Sequence, residues 1–240
     1  MVSDRMAVVL ALLDGDRARG ANLPQVVAVK AAVALGVDGI YAGLGTGPSG
    51  LVLAWGQEAI STELEDLQFT LGQGPGLDAA SGSPVLVPDL AAMGARWPEF
   101  VPAATALGVR AVFALPLRIG AIGVGVLVAH RATVGLLVDG ALADALALAD
   151  AVTVLLLHRQ PGGTERAGPA TDGPQPGWAP PATYRAEVHQ ATGIISVQLG
   201  VSLAEALVRL RAYAYSDGRL IAEVAADVVA HRVRFNEHDQ

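Results

Sequence analysis

Residues 110–131 read RAVFALPLRIGAIGVGVLVAHR, and this stretch decides the fold of the first part of the chain. Two apolar runs, Arg110–Arg118 and Ile122–Arg131, flank the turn Ile119-Gly120-Ala121. Short apolar runs on either side of a Gly-containing turn are typical of an antiparallel strand pair. We therefore expect a β-hairpin at the centre of this part of the chain.

Strands and helices are both predicted around this hairpin. Short β-like runs predict further strands at 39–44, 51–56 and 84–87. Apolar residues at helical spacing predict helices at 3–19, 24–35, 62–70, 96–107 and 139–158. The helix at 62–70 is expected to open with a capping box, Thr62-x-x-Glu65. Strands in the middle with helices at both ends predict an α+β domain, an antiparallel sheet with flanking helices, over residues 1–158.

The composition changes sharply after this domain. Residues 159–182 read RQPGGTERAGPATDGPQPGWAPPA, with six Pro and five Gly, which predicts a flexible linker. Residues 183–240 then carry three amphipathic helical stretches, separated at Gly200 and at Asp217-Gly218. Ser202-x-x-Glu205 is expected to cap the second of them. The tail is therefore predicted to be an all-α three-helix bundle.

The composition also excludes several classes of function. The 240 residues include no Cys, so disulfides, thiolate metal sites and thiol nucleophiles are excluded. The net charge of −7 does not favour a broad basic surface for nucleic acid. No stretch supplies the roughly 20 clean apolar residues of a membrane span. The N-terminus does not look like a signal peptide, so we expect a cytoplasmic protein without a membrane partner.

No motif indicates catalysis or metal binding. Residues 45–50 match G-x-G-x-x-G, but a strand-like run follows where a dinucleotide site needs a helix, so we interpret them as a hairpin loop. The five His show no metal-ligand spacing, and no metal site is predicted. Glu63, Glu65 and Asp66 are interpreted as solvated residues near a helix N-terminus and not as an acid–base cluster. The chain is therefore not expected to be an enzyme.

Five aromatic residues in the first part leave two interpretations open. They either line a ligand pocket or fill a core that otherwise contains small side chains. No cofactor is identified, and the only ligand that this pattern allows is an unknown small molecule. The five are Trp55, Phe69, Trp97, Phe100 and Phe113.

The last helix of the first part offers a stripe for a homodimer. Its members recur at alternating spacings of four and three, as in a coiled-coil seam. Either this stripe meets the same helix of a second copy, with helix 3–19 alongside, or it packs on the sheet of its own chain. The stripe consists of Leu142, Leu146, Ala149, Thr153 and Leu156.

The tail resembles a known family in a series of short motifs. They are Ala191-x-Gly193-Ile194, Gly200-Val201-Ser202-x-x-Glu205-Ala206, Leu210-Arg211-x-x-Ala214, Gly218-Arg219 and Val224-Ala225. Their order and spacing over residues 184–235 are similar to the ANTAR domain, an RNA-binding antitermination module of bacteria. Thr192 stands where ANTAR domains usually carry Lys, which implies a weaker attraction for RNA phosphates.

The first part is similar to the GAF domains that are joined to ANTAR domains in actinobacteria. The similar segments are 67–75 (LQFTLGQGP), 84–90 (PVLVPDL), Arg96-Trp97-Pro98 and 108–117 (GVRAVFALPL). A GAF domain would have an α+β fold and act as a sensor. The resemblance therefore implies a sensor domain at 1–158 and an RNA-binding domain at 183–240.

The combined resemblance implies a signal-responsive regulator of transcription. ANTAR proteins bind paired hairpins in leader transcripts and prevent transcription termination. Arg211 and Arg219 match the motif and are the first candidates for RNA contact, followed by Arg185, His189 and Arg209. Arginine forms bidentate contacts with phosphates and guanine edges. The alternative is that these side chains lie on solvated faces, and that the bundle has lost RNA affinity and binds a protein partner.

Overall fold

The predicted hairpin forms the centre of a five-stranded antiparallel sheet in the computed structural model of the protein. Residues 2–19, 25–45, 52–56, 58–138, 140–158 and 181–236 are described. The strands are β1 (Gly39–Leu44), β2 (Val52–Trp55), β3 (Val85–Val87), β4 (Ala111–Ile119) and β5 (Ile122–Arg131), in the sheet order β2-β1-β5-β4-β3. In the hairpin, Ala111 pairs with Arg131 and Ile119 with Ile122.

Helices cover both faces of this sheet. In the first part they are α1 (Asp4–Arg19), α2 (Gln25–Leu35), α3 (Ala59–Leu71), α4 (Pro75–Ala80), α5 (Phe100–Ala106) and α6 (Ala141–His158), with a 3₁₀ helix at Leu90–Met93. Helices α1, α2 and α6 share one hydrophobic core with the sheet, and α3, α4 and α5 share another on the opposite face. The predicted α+β fold, an antiparallel sheet with flanking helices, is therefore confirmed for the described residues of this region.

The two cores explain why the central strands read as nearly continuous apolar runs. Phe113 and Leu115 of β4 lie in the core with α1, α2 and α6, whereas Val112 and Ala114 lie in the opposite core. Because successive side chains of a strand point to opposite faces, a sheet buried on both faces needs apolar residues at every position.

One local prediction in this domain is wrong, and one helix was not predicted. Helix α3 begins at Ala59, three residues before the predicted start, and the Thr62 hydroxyl donates to the Glu58 carbonyl at 2.9 Å within the first turn. The proposed capping-box carboxylate, Glu65, is buried at 1% exposure and does not lie at the helix start. Helix α4 was not predicted, although Pro75 at its first position after Gly74 is a favourable helix start.

The tail forms the three-helix bundle that the sequence predicts. Its helices are α7 (Pro181–Leu199), α8 (Leu203–Ser216) and α9 (Ile221–Val229). The Ser202 hydroxyl accepts from the Glu205 backbone N–H at 3.2 Å, which confirms the second capping box. The bundle core is made of aliphatic residues, among them Val188, Ile195, Leu207, Leu210, Ile221 and Val224.

Two predictions fall partly outside the described residues. The linker predicted at 159–182 lies there except for its last two positions, which belong to α7. The loop of the G-x-G-x-x-G match is also outside them from residue 46 onward, but β1 and β2 pair antiparallel on either side of it, as a hairpin requires.

None of the described helices is long and apolar enough to cross a membrane alone. The segments Ala186–Leu199 and Leu203–Ser216 meet that criterion only as a pair bent by 105°.

Candidate nucleic-acid interface

The first RNA-binding candidate, Arg211, lies on α8 with its side chain against helix α3 of the N-terminal domain. Its Nε donates to the carbonyl oxygen of Phe69 at 2.9 Å. Its guanidinium carbon lies 5.5 Å from the centroid of the Phe69 ring, within cation–π distance. The Phe69 carbonyl belongs to the last turn of α3, where carbonyls lack helical N–H partners and carry partial negative charge. The N-terminal domain thus offers Arg211 a neutral but favourably oriented acceptor.

The Arg211 contact partly shields the guanidinium from water. Burial lowers the pKa of Arg211 to about 10, so the group is still protonated at neutral pH. A charge-assisted pair with a phosphate is stronger than a hydrogen bond to a neutral carbonyl. The surroundings of Arg211 in this arrangement are therefore less favourable to its charge than an RNA backbone would be.

Phe69 itself packs into the three-helix bundle. Although it belongs to α3, its side chain is 1% exposed and lies in the same hydrophobic cluster as Val188, Ile195 and Leu210. Gly72, which ends α3 with φ at +65°, lies next to the arginine, and a Cβ there would be 3.1 Å from Arg211 Nη1. An aromatic side chain and a close backbone approach therefore join the two domains at the C-terminal end of α3.

A second contact joins the domains on the outer side of α8. The Tyr215 hydroxyl donates to Glu99 Oε2 at 2.9 Å, and this hydrogen bond raises the pKa of Tyr215. A cleft of about 560 Å³ lies between the two contacts and is lined by residues of both domains. Arg211 and Arg219 both line this cleft, so the two motif arginines lie at the boundary between the domains.

Arg219 is held by carboxylates of its own bundle. Its Nη2 lies 2.6 Å from Asp227, and its other nitrogens lie 3.6 Å from Asp217 and 3.7 Å from Glu223. The hydrogen bond with Asp227 raises the pKa of Arg219, while Arg219 and then Arg232 lower the pKa of Asp227. Arg219 remains one-third exposed, so a ligand can reach it while the domains are docked but must compete with these carboxylates.

Two of the remaining RNA-binding candidates, Arg209 and His189, are not among the residues that line this cleft. Arg209 pairs with Glu205 at 3.1 Å one turn earlier on α8, and His189 is exposed on α7. Arg185 lies in α7, but its side chain is outside the described residues. Thr192 is 5% exposed and donates to the Val188 carbonyl at 2.7 Å. A Lys at this position would therefore have to extend out of the bundle to reach RNA.

The five aromatic residues do not line one pocket, and that interpretation is wrong. Trp55 and Phe113 lie in the core with α1, α2 and α6, whereas Trp97 and Phe100 lie in the opposite core. Phe69 lies with the bundle. The sheet and α3 separate the three groups, so most of these side chains fill cores.

The five-residue dimer stripe also requires correction. Ala149, Thr153 and Leu156 are buried at 5% exposure or less, and the Thr153 hydroxyl donates to the Ala149 carbonyl of its own helix. Only Leu142 and Leu146 are accessible, at 40% and 44%. Most of the stripe packs on its own domain, because α6 lies against β4 and α1.

A buried polar cluster was missed by the sequence analysis. His130 Nε2 lies 2.9 Å from Glu58 Oε1 and 3.1 Å from Ser61 Oγ. Burial lowers the pKa of His130, and Glu58 opposes that shift. The same imidazole nitrogen lies near both Glu58 and Ser61. In a catalytic triad one ring nitrogen faces the hydroxyl and the other faces the carboxylate, so these three groups do not form one. The signal in the sequence was a lone His at the end of an apolar strand.

The carboxylates at 63–66 differ from their prediction as well. Glu63 is exposed as expected, but Glu65 is buried and does not face water. Its position follows from helical spacing, since Glu65 falls on the same face of α3 as Ser61 and Gln68, which are also buried. Among the described residues, no group of three or more His, Asp or Glu is arranged to hold a metal ion.

One family model matches part of the tail. The ANTAR domain model matches residues 182–229, so the chain contains an ANTAR domain, as its motifs predict. No curated protein matches the sequence.

Solved structures similar to the N-terminal region include GAF domains. The GAF domain of a phosphoenolpyruvate-protein phosphotransferase from Coxiella burnetii is 18% identical with a TM-score of 0.47, over 65% of this chain and 96% of that one. A phycoerythrobilin-bound GAF domain from a cyanobacterial phytochrome is 14% identical with a TM-score of 0.45, over 65% and 97%. A free methionine-R-sulfoxide reductase from Neisseria meningitidis is 22% identical with a TM-score of 0.44, over 66% and 92%.

Proposed function

We propose that this protein is a signal-responsive RNA-binding regulator that binds paired hairpins in leader transcripts and prevents transcription termination in the cytoplasm. The observation that carries the proposal is the ANTAR domain at residues 182–229, with Arg211 and Arg219 at its motif positions. In this proposal residues 1–158 are the sensor, 159–182 connect the domains, and 183–240 bind RNA. Both domains act as regulators and not as enzymes.

The alternative is a bundle that binds a protein instead of RNA. It is favoured by the pairing of Arg209 and Arg219 with carboxylates of the bundle, which reduces the positive potential available to a polyanion. Arg211 argues for RNA, because its partner in the N-terminal domain is a neutral carbonyl that a phosphate would displace. We therefore favour RNA.

Fluorescence anisotropy with the full chain tests the RNA function. The probe is a labelled paired-hairpin RNA from a leader region, and the controls are the same stems with scrambled loops, each at two salt concentrations. Loop-dependent binding that weakens with salt supports the proposal. Equal binding of both RNAs means only phosphate attraction, and it would move the assignment to the protein-binding alternative.

A homodimer is part of the proposal, because two hairpins call for two RNA-binding domains. The outer face of helices α2 and α6 suits a second copy of the chain, since both helices expose apolar side chains there. They are Val26, Val29 and Val33 of α2 with Leu142 and Leu146 of α6.

Leu146→Glu should therefore raise the dissociation constant of the dimer by at least about tenfold, because a charge would be buried against the partner. Analytical ultracentrifugation measures this change, with Leu136→Glu as the exposed control outside both helices. A variant that stays dimeric with an unchanged circular dichroism spectrum would remove this surface from consideration.

A further inference from the structure

Helix α3 has two faces with different neighbours. One face lies against the sheet, where Gln68 donates to the Tyr41 hydroxyl at 2.6 Å and accepts from the Gly76 N–H at 2.7 Å. The next residue, Phe69, is buried among bundle residues. Two consecutive residues thus belong to the interiors of different domains, so α3 is one of the elements through which the N-terminal domain touches the bundle.

The groups that α3 contacts on the bundle include the one that RNA is proposed to use. The Phe69 carbonyl holds Arg211 Nε, and the Phe69 ring lies against the same guanidinium. The backbone of Gly72 is so close that a Cβ on it would lie only 3.1 Å from Nη1. Part of the guanidinium is thus already occupied by α3, so a phosphate that pairs with it at this position has to displace these contacts. RNA and α3 therefore compete for one side chain.

Charge at the rim adds to the competition. Glu99 accepts from Tyr215 and lines the cleft together with Arg211 and Arg219. A carboxylate in this position repels an approaching RNA backbone. The N-terminal domain thus contributes both a steric and an electrostatic obstacle to RNA.

On this basis, which rests on the function proposed above, we propose that the docked structure is an autoinhibited state, in which Phe69 of α3, together with Glu99 at the start of α5, withholds Arg211 from RNA. RNA binds when the two domains separate. The contact is suited to release, since its central hydrogen bond uses a neutral carbonyl that a phosphate replaces with a stronger, charge-assisted bond.

Two substitutions on the N-terminal side open the contact without touching the RNA-binding residues. Phe69→Ser removes the side chain that enters the bundle, and Ile60→Ser on the same helix is its control, since Ile60 is 40% exposed. Glu99→Lys removes the acceptor of the Tyr215 hydroxyl and places a positive charge in the cleft that the two arginines line. Glu63→Lys, also exposed on α3, makes the same change of charge as a control for nonspecific attraction.

Docking and RNA binding are measured on the same full-length molecules. The chain contains no Cys, so Leu136→Cys and Val197→Cys, at 74% and 85% exposure, introduce one dye site in each domain. Opening lowers the energy transfer between the dyes. We expect Phe69→Ser and Glu99→Lys each to lower the transfer and to tighten hairpin binding by at least about fivefold, the lower end of typical coupling between sites. The hairpin affinity of both variants should depend more steeply on salt, by an amount that corresponds to roughly one additional phosphate contact. Both control variants should behave like the unsubstituted chain.

Three outcomes overturn the inference. Unchanged transfer in both variants means that α3 does not hold the bundle. Lower transfer with unchanged, loop-dependent binding means that docking does not obstruct RNA, and the proposed function then stands alone. If the opened variants bind hairpin and scrambled RNA equally, the proposed function fails and the inhibition with it. Circular dichroism shows whether the Phe69→Ser protein is folded. If it is misfolded, the results for Glu99→Lys alone test the inference.

Discussion

The surroundings of Arg211 and of Arg219 form two regions of one bundle with opposite properties. Arg211 is half-buried, and its hydrogen-bond partner is a neutral carbonyl of the other domain. Arg219 is one-third exposed, and its partners are three carboxylates of its own domain. Both residues match motifs of the same family. Arg211 is held by a contact between the two domains, whereas Arg219 is held by contacts within its own domain.

The difference shows which arginine the N-terminal domain can control. The carboxylates around Arg219 move with it, so their competition with RNA is the same whether or not the domains are docked. The partner of Arg211 is left behind when the domains separate. An interaction can report on a conformational change only if it differs between the two states.

The largest effect expected from this comparison concerns Arg211. In the opened Phe69→Ser background, Arg211→Ala should weaken hairpin binding by about tenfold, as for loss of one charge-assisted contact. In the docked chain the same substitution should weaken hairpin binding by about threefold or less. Removal of Arg211 also loosens the docking, which offsets part of the lost RNA contact. Anisotropy titrations of the four proteins give the coupling between the two positions. Equal losses in both backgrounds would show that the contact with α3 has no bearing on RNA.

A smaller effect is expected from the carboxylate that holds Arg219. Asp227→Asn weakens the pairing of Arg219 and should tighten RNA binding by about threefold, with a steeper dependence on salt. Glu223→Gln is the matched control, since its carboxylate lies 3.7 Å from Arg219 compared with 2.6 Å for Asp227. The gain should be the same with and without Phe69→Ser. A gain found only in the opened chain would mean that Arg219 is also under interdomain control.

The smallest effect is expected at the edge of the contact. Tyr215→Phe removes the exposed hydrogen bond to Glu99 and should change hairpin affinity by about twofold or less, since exposed polar pairs contribute little. Tyr213→Phe on the same helix controls for loss of a phenol. Anisotropy at low salt is the measurement. A change as large as that of Phe69→Ser would place the main restraint at Tyr215 and not at Phe69.

Most of the fold was predictable because local patterns determine it. The apolar runs of β4 and β5, the Gly-containing turn between them and the Ser202 cap all act over a few residues. The start of α3 was not predictable in the same way. Thr62 and Glu65 have the spacing of a capping box, but the helix begins at Ala59, and Glu65 is buried with Ser61 and Gln68 instead of lying at the helix start.

The site was predictable in its residues but not in its environment. The motif identified Arg211 and Arg219, and nothing around Phe69 in the sequence indicates that its side chain enters another domain. The same limit applied to the aromatic set. Phe113 and Phe100 lie on opposite faces of the sheet, and composition alone does not reveal which face an aromatic residue occupies.

The glycine at the end of α3 constrains how this chain can diverge. Gly72 adopts a left-handed conformation that ends the helix, and its missing Cβ leaves space for Arg211 of the other domain. A mutation there would disturb a helix terminus in one domain and an arginine in the other at once. The two domains therefore share a constraint at one position, and a replacement N-terminal domain would preserve the contact most easily with a glycine there.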